Sequence, residues 1–278
     1  RYIERFAPRE FTEIRDAYFV DCGITYDGRN TGATTITVSG GTTWLSEDAE
    51  SLTLTASAAT FTQLDVTLNN EIAFWYTDDD GIEVRLAFRL TAYTSTTSVT
   101  AIALKDVPAD YQAVARTDWE FAKKRFFNLN HIEGEAVACL ADGNVVPDLI
   151  VSVGQVDLPD AAAVVHIGLP YTSQLETLDM AAPQGQTKAK MLNVPAIHLT
   201  VQETRSIYVG TNGFENVRPV AARPADIGYD APIPADTYLA SITPNTSWSR
   251  QGRICIQNTD PTPITVNCIT AEVELGDS

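Results

Sequence analysis

Residues 72–90 read IAFWYTDDDGIEVRLAFRL, and this stretch decides the fold class. Charged and apolar residues alternate along 82–90, as they do in a strand that has one face on a core. The run at 72–76 is apolar and aromatic, and Asp80-Gly81 lies between the two runs. Asp-Gly tolerates the positive φ angles of tight hairpins. The stretch therefore predicts an antiparallel β-hairpin that turns at Asp80-Gly81.

The same pattern extends outward along the chain. Short stretches rich in β-branched residues are separated by Gly, Asp, Asn and Ser, as antiparallel strands require. They lie at 34–39, 50–55, 98–104, 197–209, 252–257 and 264–275, the last with a bulge expected near Thr270. Further turn dipeptides are Asp27-Gly28, Asp142-Gly143 and Asn212-Gly213. We therefore predict a mainly β fold of several small antiparallel β-barrel or sandwich modules, with at most one or two short helices.

One stretch leaves the choice between helix and no helix open. Residues 117–127 read TDWEFAKKRFF, and Thr117 or Asp118 would serve as N-cap. The apolar residues of this stretch fit the helical period only in part. The last third of the chain is rich in proline, which removes a ladder donor, so we expect loops with strands between them.

The length of 278 residues suggests roughly two domains. The chain begins with Arg1 and has no signal-peptide pattern, so we expect it to start within a longer polypeptide; a trimmed N-terminus would look the same. No window approaches the roughly 20 apolar residues that span a bilayer, so we expect no membrane insertion of this segment.

The chain is strongly acidic, with 36 Asp and Glu against 19 Lys and Arg, a net charge of −17 and a pI near 4.4. This balance argues against gripping nucleic acid, which requires basic patches. An acidic wall would instead let DNA slide past without sticking. The alternative is that the charge only keeps copies of the protein apart in solution.

The four cysteines, Cys22, Cys139, Cys255 and Cys268, form no CxxC pair, so zinc and thioredoxin signatures are absent. Each lies in an apolar stretch, which favours free structural cysteines. The alternative is a Cys255–Cys268 bridge between neighbouring strands.

The sequence carries no motif of a known catalytic machinery, neither GxSxG, GxxxxGK[ST], GxGxxG nor HExxH. His131, His166 and His198 are far apart, and we expect His166 and His198 to pack within strands. We assign no catalytic residue, no cofactor and no metal site, and we expect the protein not to be an enzyme.

Acidic and aromatic residues are further candidates for binding or catalytic sites. Asp78-Asp79-Asp80-Gly81 fails the EF-hand register, which favours a solvated hairpin tip. Glu133 and Glu135 would share one strand face, a spacing that a glycosidase pair tolerates but does not require. We expect Trp75 to fill a core and Trp248 to contact a partner.

Three blocks of sequence carry a resemblance to one family. They are LNHIEG at 129–134, VACLADG at 137–143 and IGLPYTSQLETL at 167–178. Together they resemble tail nozzle, or tail tubular, proteins of short-tailed bacteriophages. RYIER at 1–5, DAYFVDCG at 16–23 and the last strand up to Gly276 are similar to the same family. The resemblance touches most of the chain and is weakest over the insert and over 210–250.

The resemblance implies four regions: the end of an upstream β-propeller-like region (1–28), an inserted FCCH-like β module (29–110), a small β-barrel module (111–180) and a loop-rich C-terminal β region (181–278). It also implies a homo-oligomeric ring, usually a hexamer, at the distal end of the virion tail, assembled in the cytoplasm of the bacterial host. The ring would contact an adaptor ring and tail fibre or spike proteins, and viral DNA would pass through its lumen. The family has no catalytic residues to carry over.

Two other functions remain open. A receptor- or carbohydrate-binding tail module would use loop aromatics on a β-sandwich. A capsule-degrading glycosidase would require a cleft with paired carboxylates.

Overall fold

The computed structural model describes residues 10–180, 190–220, 227, 231–245 and 248–276. The predicted mainly β class is confirmed, since 52% of the described residues are in strands and 8% are helical. Two compact units are present: the larger unit, residues 22–169 and 224–232, and the smaller unit, residues 1–21, 170–223 and 233–278. These units group the chain differently from the four expected regions, whose boundaries stay a prediction.

The strands in chain order are β1 (Asp21–Asp27), β2 (Ile36–Ser39), β3 (Leu52–Ala56), β4 (Glu71–Thr77), β5 (Glu83–Ser95), β6 (Ser98–Ala103), β7 (Ala115–Arg116), β8 (Trp119–Phe126), β9 (Ala136–Ala141), β10 (Asn144–Ile150), β11 (Val156–Ala162), β12 (Val164–Leu169), β13 (Ser173–Glu176), β14 (Leu192–Thr204), β15 (Tyr208–Thr211), β16 (Arg218–Pro219), β17 (Asp236–Ile242), β18 (Ile254–Asn258) and β19 (Val266–Leu275). The one α-helix within the described residues is α1 (Gln63–Thr67). Turns of 3-10 helix lie at Ile14–Asp16, Ser46–Asp48, Ala109–Tyr111, Asn130–Ile132 and Phe214–Asn216.

Most of the larger unit is one eight-stranded sheet in the order β11-β8-β4-β5-β6-β3-β2-β7. In this order β8 lies near one end of the sheet and β7 at the other, yet only Thr117 and Asp118 separate them in the chain. These two ends of the sheet must therefore lie close together. The Trp119 indole N–H donates to the Thr34 carbonyl at 2.8 Å across this closure. The sheet therefore curls around a core that includes Phe74 and Phe88, both fully buried.

The predicted hairpin at Asp80-Gly81 is confirmed by the antiparallel pairing of β4 with β5. Phe74 lies opposite Leu86 on the core face, and Trp75 lies opposite Arg85 on the other face. Gly81 has a φ of +80°, which is the left-handed conformation that the turn requires. Local alternation was thus sufficient to fix this register.

A second sheet, in the order β1-β12-β9-β10, completes the larger unit. Its inner face packs with Phe126 of β8 and Val156 of β11 to form a second core around Cys139 and Ile167. β9 and β10 form the hairpin predicted at Asp142-Gly143, where φ is +44° and +75°.

The smaller unit contains two sheets, β13-β18-β15-β16 and β17-β14-β19. Apolar residues of both sheets share one core, as in a β-sandwich. Examples are Leu199 of β14, Ile242 of β17 and Ile256 of β18. The strand predicted at 197–209 is two strands, because β14 ends at Thr204 and β15 begins at Tyr208.

Residues 117–127, where the sequence left the choice between helix and no helix open, contain strand β8 and no helix, because Trp119 and Phe121 pair with β4 in the sheet. Two sequence expectations were wrong. The bulge of β19 lies at Asn267 and not near Thr270, which pairs regularly with His198. Asp27-Gly28 is not a turn, and a Cβ at Gly28 would lie only 2.1 Å from the Phe121 carbonyl oxygen, so Gly28 permits a close backbone approach.

No disulfide joins these cysteines within the described residues, as expected, and the Cys255–Cys268 bridge was the wrong alternative. The expected structural role in a core fits Cys139 and Cys255 only, because Cys22 is half-buried and Cys268 is exposed. Cys255 is buried in β18 and Cys268 is exposed on β19, in different sheets. Burial raises the pKa of the Cys139 thiol to about 12, so that thiol is a structural core group. No helix among the described residues is long and apolar enough to cross a membrane.

Candidate functional site

The polar residues of the first family-like block bind backbone groups. The His131 ring donates from Nε2 to the Cys22 carbonyl at 2.6 Å. Glu133 accepts the N–H groups of Val153 and Gly154 at 2.7 and 2.6 Å. Glu133 lies in a turn before β9, so the expected strand pair of Glu133 with Glu135 was wrong. Both polar side chains therefore hold loops together.

The second block centres on the buried carboxylate of Asp142. Its oxygens accept the N–H of Ala163 at 3.1 Å and of Val164 at 2.8 Å. Burial raises the pKa of Asp142, and the two N–H groups act in the opposite direction. The carboxylate thus fixes the start of β12 against the β9–β10 hairpin.

The third block crosses into the smaller unit, where β13 pairs with β18. The Arg253 guanidinium contacts Glu176 at 3.4 Å and Asp179 at 2.6 Å. The Ile254 N–H donates to the Thr177 hydroxyl at 3.0 Å. All four residues of β13 are exposed, and Leu175 keeps 49% of its surface. This block combines polar anchoring with an accessible apolar residue.

The larger unit contains a buried polar cluster that was not predicted from the sequence. Glu71 lies 3.2 Å from Arg85, whose other nitrogen donates to the Ala161 carbonyl at 3.2 Å. The Trp75 indole N–H donates to Glu120 at 2.9 Å. Trp75 is therefore only half-buried and lies on the face opposite the core, which corrects the expected core role. Acidic residues inside the apolar runs of β4 and β8 were the available signal.

This cluster is enclosed and presents no reactive carboxylate to solvent. The Glu71 side chain keeps only 4% of its surface, and Glu120 is buried as well. The charges of Arg85 and Glu120 both act on Asp142, so the cluster adjoins the second block. Its ion pair and hydrogen bonds join strands of the eight-stranded sheet.

The histidines and the acidic tip do not converge on a site. His166 is buried in β12 with Nδ1 2.9 Å from the Thr25 hydroxyl, and His198 of β14 lies 3.5 Å from Glu272. Asp78 accepts the N–H groups of Asp80 and Ile82, which confirms a hairpin tip. Within the described residues, no group of three or more His, Cys, Asp or Glu is arranged to hold a metal ion.

The larger unit also contains a cleft of about 550 Å³. The ammonium of Lys123 lies 4.8 Å from the Tyr26 ring centroid and 5.4 Å from that of Phe121. Burial raises the pKa of Tyr26, whose hydroxyl donates to the Phe121 carbonyl at 2.8 Å. Asp65, also in the lining, already accepts hydrogen bonds from Thr62. Arg29 lines the cleft as well, and its guanidinium lies 2.9 Å from the Asp27 carboxylate, also in the lining. Lys123 is thus a second cation that this cleft can offer to a polar ligand.

Trp248 is 49% exposed, and its role as a contact residue stays a prediction. The family-like motif at 1–5 lies outside the described residues.

Comparison with models of known protein families finds no match, and comparison with curated proteins finds no similar sequence.

Proposed function

We propose that this chain is a structural virion protein, a subunit of the ring-shaped nozzle at the distal end of a short phage tail. The ring would form part of the conduit for genome ejection, and its outer surface would hold fibres or spikes. The proposal rests on the resemblance of the three sequence blocks to tail nozzle proteins.

The use of polar groups in these blocks carries the proposal. His131, Glu133 and Asp142 each bind backbone atoms of this chain, and Glu176 pairs with Arg253. Side chains used in this way stabilise loops and strands. This use of polar side chains supports a structural role, because each group is already engaged within the chain.

The charge of −17 also supports a conduit. A lumen lined with carboxylates repels phosphate, so DNA would pass without binding. The expected result is that the assembled ring does not retain duplex DNA at low ionic strength, measured by electrophoretic mobility shift. Retention that weakens with added salt would contradict the conduit.

Electron microscopy of the particle that carries this protein tests the proposal most directly. We expect antibody-labelled density in a ring at the far end of a short tail. Labelling of a peripheral spike would replace the nozzle with a receptor-binding module.

The cleft beside Lys123 favours carbohydrate binding as a second candidate function. It combines an ordered cation with polar and aromatic lining residues, as saccharide sites do. A glycan array on the intact chain should then identify a ligand whose affinity falls at least tenfold in Lys123→Met. Lys124→Met is the matched control, because the Lys124 ammonium donates to the Pro159 carbonyl instead. A chain that binds no glycan leaves the nozzle as the sole proposal.

A further inference from the structure

We propose that β19 of one copy pairs with β17 of the next copy, so that the sheet β17-β14-β19 continues from subunit to subunit around a ring. This inference rests on the proposed ring and names the contact that closes it. Within the described residues, β17 and β19 each pair with β14 alone. Each therefore has one edge whose backbone groups have no strand partner in the part of the chain that the structure describes.

The open edge of β19 is long and has little protection. β19 spans ten residues and contains neither Lys nor Pro, two residues that guard edge strands. Its own protection is the bulge at Asn267 near its start and the two charges of Glu272 and Glu274. An edge of this kind pairs readily with another strand. A working assembly is therefore expected to cover it.

The apolar face of β19 extends beyond the core of its own subunit. Ile269 and Ala271 pack against that core, and alternation places Val273 and Leu275 on the same side. Val273 and Leu275 nevertheless remain 42% and 47% exposed. An additional strand beside β19 would cover this uncovered end of the core face.

Further apolar surface lies where β19 ends. The Gly276 N–H donates to the Met191 carbonyl at 2.9 Å, and a Cβ at Gly276 would lie 3.1 Å from the Trp248 ring. Met191 and Trp248 are 41% and 49% exposed. The end of β19 thus presents a continuous apolar patch and not a single exposed side chain.

The direction of the strands identifies a second copy of this chain as the partner. β17 and β19 are both antiparallel to β14, so they run parallel to each other at opposite edges of one sheet. A rotation about an axis parallel to the strands does not change their direction. It can therefore place β17 of a second copy beside β19 of the first, with the two strands parallel. Such head-to-tail contacts use two different surfaces and close into rings.

The charges agree with parallel pairing. Asp236 begins β17, whereas Glu272 and Glu274 lie near the end of β19. Parallel strands aligned at their starts keep Asp236 about 20 Å from Glu272 and about 26 Å from Glu274, at about 3.3 Å per residue. Antiparallel pairing would bring Asp236 toward the two glutamates, which is unfavourable.

A disulfide tests the contact with a cysteine that the chain already has. Thr200 of β14 pairs with Leu239 of β17 on one side and with Cys268 of β19 on the other. Both side chains therefore lie on the same face of the sheet. In one copy they are two strand spacings apart, about 9.6 Å, which exceeds the roughly 7 Å limit between Cα atoms of a disulfide. A Leu239→Cys bond to Cys268 must therefore join different copies.

We expect the Leu239→Cys variant of the intact chain to form a ladder of covalent multimers under a mild oxidant, resolved by non-reducing electrophoresis. The ladder should disappear when Cys268→Ser is added. Val153→Cys, at a position 83% exposed in the larger unit, is the matched control for random collisions and should give no ladder.

The outcomes separate this inference from the proposed function. A ring in native mass spectrometry without a Leu239→Cys ladder overturns the edge contact and leaves the nozzle standing. Cys268–Cys268 dimers of the natural chain would indicate twofold pairing of β19 and would overturn the head-to-tail arrangement. A chain that stays monomeric at every concentration, with no ring on the particle, overturns both.

A second variant avoids cysteine chemistry. Val273→Lys places a charge on the exposed end of β19 and should raise the concentration for half-assembly at least tenfold. Val153→Lys changes a similarly apolar, exposed residue that belongs to the larger unit and to neither edge strand, and it should leave assembly unchanged. Equal effects of the two substitutions would contradict the proposed contact.

Discussion

Asp142 shows how a single buried carboxylate stabilises a β-hairpin. Replacement by Ala would leave the N–H groups of Ala163 and Val164 without their acceptor. Each buried unsatisfied group costs about 1–3 kcal/mol. We therefore expect Asp142→Ala to lower the free energy of unfolding by about 2–4 kcal/mol, measured by urea denaturation.

Asp142→Asn is the matched control for that substitution. Its Oδ1 can accept both N–H groups, and Asn tolerates the positive φ of this position. The loss should be less than half of that for Ala. Equal losses would show that the carboxylate geometry does not hold the hairpin.

Comparison of the wild type with Asp142→Asn also gives a prediction of pH dependence. Burial raises the pKa of Asp142 above its ordinary 3.8, so the folded state binds this proton more tightly than the unfolded state. The resulting stabilisation is complete below pH 3.8 and declines as pH rises through the folded-state pKa. Relative to Asp142→Asn, the wild type should lose stability over this interval. A pH-independent difference would contradict the shift.

Glu50 represents the opposite case, since its carboxylate accepts the backbone N–H groups of Thr43, Trp44 and Thr42. These bonds lower the pKa of Glu50 below 4.5, so its stabilisation is lost as pH falls through the folded-state pKa. NMR titration should find the Glu50 midpoint below 4.5. Glu50→Gln should remove the titration, and an ordinary midpoint would contradict the loop geometry.

At the scale of elements, the β4–β5 hairpin depends on the backbone conformation of Gly81. A Cβ at Gly81 meets nothing within 4 Å, so a side chain there adds strain at φ +80° and no collision. We expect Gly81→Ala to cost about 1–2 kcal/mol of unfolding free energy. Gly32→Ala, where φ is not positive and the nearest atom is 3.6 Å away, should cost little. Equal costs in thermal denaturation would contradict this explanation.

Elements with local signals could be predicted from the sequence. Asp80-Gly81 and Asp142-Gly143 formed the expected hairpins because the required φ angles belong to the dipeptides themselves. β8 was ambiguous because its identity depends on β4, roughly 45 residues away in the chain. α1 begins with a capping box of Thr62 and Asp65. This helix was not predicted, because its five residues are too few to show a helical period.

The polar sites were less accessible to prediction for the same reason. Asp142 is joined to Val164 and Glu120 to Trp75 across long separations in sequence, and nothing in the local pattern specifies such pairs. The cleft combines residues from the stretches 26–32, 60–65 and 119–123. The sequence alone was sufficient to see that known catalytic motifs are missing from it. Which polar groups lie together could be learned only from the fold.

At the scale of the whole molecule, the net charge would oppose the proposed assembly. Copies that each carry −17 repel one another, and salt screens this repulsion. We expect ring formation to strengthen as ionic strength rises from about 0.01 to 0.15 M, where the Debye length falls from about 30 to 8 Å. Sedimentation velocity would measure it. Assembly that weakens with salt would instead indicate contacts between oppositely charged surfaces.

The parallel course of β17 and β19 has a consequence for how such a ring is mounted. Every copy would contribute its strand starts to one rim and its strand ends to the other. The two rims would then differ chemically, with Asp236 near one and Leu275 near the other. A ring of this kind has polarity, so a neighbouring component could dock on one rim only and the assembly would have an intrinsic orientation.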